Sequence, residues 1–479
     1  MNTNRTICGG AQEYRGAELG DRRLNARVER IVERLEAKPN VPFPLALVTE
    51  AELEGFYRLV NNRKVTPEAL LQPHLAATLQ RMASYETVLV VHDTTEFRYT
   101  GDRLDLGRLQ QTGRGYLGHF GVAVSGDERH DPLGIVGVET WRRIGETPTA
   151  KRKAKKLTYK EARKLDSEES RWRRMVDHVE GLVAVSASKS VLHVMDSEGD
   201  DYRLLAEMTR PEKKRRFVLR AAYDRVIAAA EMDVPRASTR EFVAQTRVVA
   251  KRKVTLARRR RQPGGDGRKR TQVREEREAT VSIRACSIKF KRPSCCEKDW
   301  PAVIDVNIVL AQETDPPADV EPIEWVLITT EPIATRAQIL RIVDAYRGRW
   351  VIEEYFKALK TGCAVEKRQA DSWHSMLNVL AMLVPIAWSL LRLRTVARSE
   401  PAASAAVVLT PEQLEVLRRA STAKLPPRLS ARDVMLAVAR LGGHLRSNGE
   451  PGWLVLGRGY AELLSLVAGH RLAAGRCDR

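Results

Sequence analysis

Cysteine is scarce in this chain: six residues in 479, at Cys8, Cys286, Cys295, Cys296, Cys363 and Cys477, with no regular spacing. Cys295 and Cys296 are adjacent, which is not the C-x-x-C spacing of a zinc knuckle or a redox pair, so ordinary reduced thiols are expected. Long apolar runs also read as missing, since none approaches the roughly 20 residues of a spanning helix. The N-terminus "MNTNRTICGGAQEYRG" lacks the apolar stretch of a signal peptide. A soluble, cytoplasmic protein with no membrane partner is the expectation. Acid is in deficit: 61 Asp and Glu face 81 Lys and Arg, a net charge of +20, so the protein's field favours a polyanion such as nucleic acid. There is no internal repeat. The length and a 43% hydrophobic content predict two or three domains.

Helical spacing comes first. In "AELGDRRLNARVERIVERLEAKP", Leu24, Val28, Ile31 and Leu35 recur every three or four residues, with arginines on the other faces. Pro39 to Pro44 break the pattern, and Thr66 and Pro67 read as the cap and first residue of a further helix. Residues 17–75 are thus either a small basic DNA-reading head or a structural helical lobe. Strands follow in "ETVLVVHDTTEF", "YLGHFGVAVS" and "PLGIVGVETW", expected to form a meander. A charged helix, "KRKAKKLTYKEARKLDSEESRWRRMVDHVEGLVA", leads to the strands "SVLHVMD" and "RRFVLRA". Residues 225 to 325 are β-rich and very basic: positions 251 to 270 hold ten Lys or Arg and one Asp, around Gly264, Gly265 and Gly267, which mark a turn or loop. From Thr335 onward the pattern is helical.

Asp93 and Asp196 each close an apolar strand run, where a carboxylate needs cations or hydrogen-bond donors if it is buried. Each alone reads first as an aspartate that starts a turn. In "AYRGRWVIEEYFKALKTGC", an ideal helix would bring Tyr346, Arg349, Glu353 and Lys360 within an arc of roughly 60°. Glu354 would point away and pair with Lys357 or Arg347. Three carboxylates on two strands and a helix suit two hard divalent cations, which clamp the attacking and leaving oxygens of a phosphoryl displacement. The neighbouring Tyr, Arg and Lys would hold flanking phosphates.

These residues resemble the DDE transposases of the insertion-sequence-four family, and among them most the transposon-five transposase. Tyr346, Arg349, Glu353 and Lys360 match every fixed position of that family's Y-x-x-R-x-x-x-E-x-x-x-x-x-x-K signature. "VHDTTEF" is similar to its first-aspartate strand, and "HVMDSEGDDY" to its second motif, D-R-E-x-D-x-Y, with Ser197 in place of the usual arginine. "AELGDRRLNARV" and "EGFYRLVNNRKVTPEAL" are similar to its end-binding domain, in which Arg22, Arg23 and Arg27 would meet DNA. "RRFVLRA" resembles the strand whose arginine, here Arg220, contacts DNA, and "GWLVLGRGYAELLSLVAGHRLA" the helix through which two protomers dimerise.

The resemblance implies an α/β fold: an RNase H-like core, a mixed sheet flanked by helices, with a β-rich insertion. It also implies a helical end-binding domain at 1–75, a catalytic domain at 76–372 with its insertion at about 225–330, and a helical dimerisation domain at 373–479. Asp93, Asp196 and Glu353 would hold two Mg2+ ions, for which Mn2+ could substitute. Tyr346, Arg349 and Lys360 would grip double-stranded DNA at transposon ends and at the target, working in a homodimer. Trp325 would stack a base flipped out during hairpin formation, or else pack as a core strand residue. Trp350 is a second aromatic beside the DNA or a brace for the helix. The implied activity is cut-and-paste transposition in a bacterial cytoplasm, at the nucleoid. Two rivals are a catalytically silent DNA-binding regulator and an RNase H-like nuclease without strand transfer. The tract from Lys251 to Arg270 is either a grip on flanking DNA or a charged loop.

Overall fold

The computed structural model describes residues 10–100, 105–109, 113–143, 169–184, 190–213, 215–227, 238–256, 277–318, 320, 322–445, 447 and 449–473. The chain divides into two units, the first Met1–Ala150 with Asp177–Ser190 and Trp350–Arg479, the second Lys151–Val176 with Val191–Arg349.

The first unit begins with a 3-10 helix, Gly10–Gly16, then α1 (Arg22–Ala37), the single turn α2 (Phe43–Ala46), α3 (Glu50–Asn61) and α4 (Pro67–Met82). The side chains of Asp21, Thr49 and Thr66 cap α1, α3 and α4 by accepting from backbone N–H groups of the first turns. Pro67 stands in the first turn of α4, as its missing N–H allows. Val28, Ile31 and Leu35 are buried as their spacing predicts, while Leu24 is half-buried. Four strands follow: β1 (Val88–Tyr99), β2 (Gly107–Arg108), β3 (Arg114–Ser125) and β4 (Pro132–Trp141). β3 pairs antiparallel with β1, β2 and β4, so the expected meander forms. One expectation changes. Asp93 does not end its strand: β1 continues to Tyr99, and Asp93 lies opposite Phe120, buried. The polar "TTEFRY" stays in the strand because β3 supplies a partner along its whole length.

After α5 (Glu169–Ala184), the second unit holds β5 (Val191–Met195), α6 (Tyr202–Met208), β6 (Phe217–Arg220), α7 (Thr239–Ala244), β7 (Ala250–Leu256), β8 (Arg277–Lys291), β9 (Val303–Thr314), β10 (Glu324–Thr329) and α8 (Arg336–Gly348). Its strands run in the order β5-β6-β10-β9-β8-β7, with β5 and β6 parallel and the other pairs antiparallel. Met195, Phe217, Leu219, Phe290, Ile308 and Ile328 are among the side chains of its core. Of the basic tract, only residues up to Leu256 are seen, in β7; the rest lies outside the described residues, as does the start of the charged helix before Glu169.

The first unit resumes with α9 (Trp350–Lys357), a π-turn at Ala358–Gly362, α10 (Trp373–Ser399), α11 (Pro411–Ala420), α12 (Ala431–Leu441) and α13 (Trp453–Ala473). α10 corrects the reading of apolar runs, for its 27 residues are long and apolar enough to cross a membrane. Here it is the core helix of its unit, with 89% of its apolar window buried. Pro385 interrupts it. A proline has no N–H, so the carbonyl four residues earlier loses its helical partner. That carbonyl, Ala381 O, accepts instead from Tyr14 Oη at 3.1 Å. Gly10 lies so close to Pro385 that an added Cβ would stand 2.7 Å from its backbone. Trp388 Nε1 donates to Pro132 O at 3.0 Å, and Asn378 Nδ2 to Val60 O and Val65 O at 2.9 and 3.0 Å.

Candidate active site

In the second unit, parallel pairing sets Met195 beside Leu219, so Asp196 and Arg220 follow at the ends of adjacent strands. Asp196 is half-buried and begins a 3-10 turn, Ser197–Gly199, accepting from Glu198 N at 2.9 Å through Oδ1. The turn-starting role considered for it is therefore real, and it occupies one carboxylate oxygen. Arg220 is exposed, and its charge acts on the Tyr346 phenol. Tyr346, on α8, is 6% exposed, and Trp325, on β10, meets it edge-on with ring centroids 5.5 Å apart. Burial pushes the Tyr346 phenol above its ordinary value; Arg349 and Arg220 oppose that shift, and Asp196 adds to it. Asp196, Arg220, Trp325, Tyr346 and Arg349 are thus one neighbourhood within one unit. Trp325 is half-buried rather than lost in the core.

The signature segment is helical but is not one regular helix. α8 stops at Gly348; Arg349 N donates to Tyr346 O at 3.1 Å, a tightened turn, and α9 begins at Trp350. Lys360 then rides on the π-turn, closed by Cys363 N donating to Ala358 O at 2.9 Å. A wider turn changes the angular step per residue, so the ideal arc read from the sequence does not hold through Lys360. Ala364 just beyond has a left-handed φ of 50°, a conformation that costs energy outside glycine.

In the first unit, Asp93 accepts from Thr94 N at 2.8 Å through Oδ1. His92 and His119, both fully buried, stack at 5.8 Å, and His119 Nδ1 is 2.9 Å from Thr94 Oγ1. Lys360 Nζ donates to Glu96 O at 2.5 Å and lies 5.5 Å from the Phe97 ring centroid, on the same strand as Asp93. Burial lowers the Lys360 pKa, against the opposing fields of Glu366, Glu96 and Asp93. Glu366 escaped the sequence reading: it sits 4.0 Å from Lys360 and accepts from Arg98 N at 2.9 Å. Only its place six residues beyond the signature lysine could have marked it. Glu353 is half-buried on α9 and Trp350 is 64% exposed. Glu354 pairs with Lys357 at 2.7 Å as expected, and also accepts from Trp453 Nε1 at 3.1 Å. Arg22, Arg23 and Arg27 are exposed along α1.

Asp93 and Glu353 belong to the first unit and Asp196 to the second. Among the described residues no three His, Cys, Asp or Glu side chains cluster as a metal centre would. The fit to a metal therefore rests on donor chemistry: all three candidates offer carboxylate oxygen, the ligand that Mg2+ and Mn2+ prefer.

Comparison with known proteins matches residues 10–65 to the transposase DNA-binding family and residues 177–389 to the transposase DDE domain. The first span includes Arg22, Arg23 and Arg27, and the second includes Asp196, Arg220, Trp325 and the whole Tyr346 to Lys360 signature. A similar solved structure is the piggyBac transposase synaptic complex with hairpin DNA, 9% identical, covering 83% of this chain and 77% of that one at a TM-score of 0.32. That likeness is too slight to carry an argument.

Proposed function

We propose, from the premise that the chain carries a transposase DNA-binding domain and a DDE transposase domain, that it cuts transposon ends and joins them to target DNA. The observation that carries this reading is the signature spacing of Tyr346, Arg349, Glu353 and Lys360, which falls within the residues matched to the DDE domain. Asp93, Asp196 and Glu353 would hold two divalent ions, Mg2+ or Mn2+. When bound, such ions activate water or a 3′-hydroxyl and neutralise charge on the leaving oxygen.

The chain's own residues supply the rest. Arg220, Arg349 and Lys360 offer cations to the phosphates on either side of the scissile bond, and the Tyr346 phenol, with its raised pKa, remains a neutral hydrogen-bond donor. Arg22, Arg23 and Arg27 would hold the transposon end through its backbone. Trp325 and Trp350 would lie against DNA, and the Trp325 indole would stack a flipped base while the free 3′-hydroxyl attacks the opposite strand to form a hairpin. No protein side chain becomes covalently attached, and the reading includes action as a homodimer on paired ends.

The test is incubation of purified protein with Mg2+ and DNA carrying the element's ends. Nicks, then hairpins, then joined products are expected. Nicks alone would replace the reading with a nuclease, and binding without cleavage with a silent regulator. Trp325→Ala should slow hairpin formation more than the first nick; equal slowing would remove its stacking role.

A further inference from the structure

The stretch "DSEGDDY" holds a second aspartate, Asp200, to which the proposed reaction gives no part. Its side chain is wholly buried, where an unpaired carboxylate would be costly. It is instead held by a segment distant in sequence, through hydrogen bonds to one oxygen and an ion pair at the other. Oδ2 accepts from Ala222 N at 2.7 Å and Tyr223 N at 3.1 Å, just past the end of β6. Arg225 Nη1 stands 2.5 Å from Oδ1, and Arg225 Nη2 donates to the Asp200 backbone carbonyl at 3.2 Å. The Arg225 guanidinium lies 5.6 Å from the Tyr223 ring centroid and 5.5 Å from that of Phe290.

Asp200 therefore ties together two pieces of backbone that each carry a reactive-site residue. Asp196 begins the turn that Asp200 closes: Gly199 N donates to Asp196 O at 3.2 Å and Asp200 N to Ser197 O at 3.3 Å. Arg220 ends the strand whose next residues Asp200 holds, and Ala221 N donates to Val326 O at 2.8 Å, continuing the link to the strand of Trp325. The turn has little freedom on its other side, since a Cβ on Gly199 would stand 3.1 Å from the Trp172 ring. Asp201 next caps α6 by accepting from Arg203 N at 2.8 Å and Leu204 N at 3.3 Å.

We infer that Asp200 is a positioning residue that, through Ala222, Tyr223 and Arg225, sets the place of Asp196 relative to Arg220. This rests on the proposed role of Asp196 as a metal ligand. Outer partners that orient a ligand commonly change metal affinity or activity by roughly 10–100-fold when removed.

The experiment compares Asp200→Asn, Arg225→Lys and Asp196→Asn in the full chain. Three readouts are used: Mn2+ binding followed by electron paramagnetic resonance, cleavage of end DNA, and amide hydrogen exchange of the metal-free protein. Asp200→Asn keeps one oxygen, which can still accept from the Ala222 and Tyr223 N–H groups, but it removes the charge and turns amide protons toward the guanidinium; Arg225→Lys is the milder change if that variant fails to fold. Expected are faster exchange confined to residues 197–201 and 221–225, Mn2+ affinity weakened at least about tenfold, and cleavage partly restored at high Mn2+. Native exchange, Mn2+ affinity and cleavage in both Asp200→Asn and Arg225→Lys, with Asp196→Asn inactive, would overturn the inference and leave the ligand role standing. Native Mn2+ affinity and cleavage in Asp196→Asn would instead overturn the ligand role on which the inference rests.

Discussion

A carboxylate and its amide differ by little in shape and by a full charge, which makes Glu353→Gln the sharpest single-residue probe of the proposed chemistry. Cleavage should be abolished while binding of end DNA, measured by gel shift, stays within about threefold; lost binding would make the glutamate structural. Glu36 is a different case. It is buried, accepts from Gly10 N at 2.8 Å and Ala11 N at 3.2 Å, and its carboxyl is pushed up to about 7, above all by burial. A carboxyl whose pKa is higher folded than unfolded contributes stability that is full below about 4.5 and lost as pH rises toward 7. Wild type should therefore lose stability relative to Glu36→Gln between pH 4.5 and 7, on the order of 3 kcal/mol, with no further change above. Paired melting curves across that range check it, and a pH-independent difference would refute it. At this scale the sequence was legible where residues act through local partners, as with Thr66, Pro67 and the Glu354 to Lys357 pair. Glu366 was not, because its partner Arg98 is chosen by the fold, and Asp200 was marked only as a motif position, its partner Arg225 being chosen by the fold as well.

Elements carry the next set of consequences. α10 holds a proline in its middle, and its orphaned carbonyl is satisfied from the N-terminal 3-10 helix through Tyr14. Tyr14→Phe should destabilise the protein by about 1–3 kcal/mol, read as a lowered denaturant midpoint, because it leaves a buried carbonyl without a donor. Unchanged stability would mean that water or a relaxed helix takes over. The same α10 shows the limit of periodicity: buried on nearly every side, it has no polar face to mark it. β1 reads as ending at Asp93 for the opposite reason, since its polar second half is held by pairing that no local pattern announces. The signature segment was legible as helix, but its division into α8, α9 and a π-turn was not. Such breaks are set by packing rather than propensity.

For the whole molecule the leading quantity is charge. With a formal net charge of +20, affinity for DNA should fall linearly on a log-log plot against salt. Replacing Arg22, Arg23 and Arg27 together by Ala should flatten that slope by roughly two to three and weaken binding to all sequences alike, measured by fluorescence anisotropy; an unchanged slope would remove α1 from the interface. Charge, composition and the order of helices and strands were determined by the sequence itself, since they depend on residue identity and near neighbours. So was the spacing of Tyr346, Arg349, Glu353 and Lys360. Only the tertiary structure decided that Asp196, Arg220, Trp325 and Tyr346 are neighbours, that Lys360 lies along the strand of Asp93, and that Asp200 is held by Arg225. Those contacts join residues far apart along the chain, and burial and pairing across the fold select them.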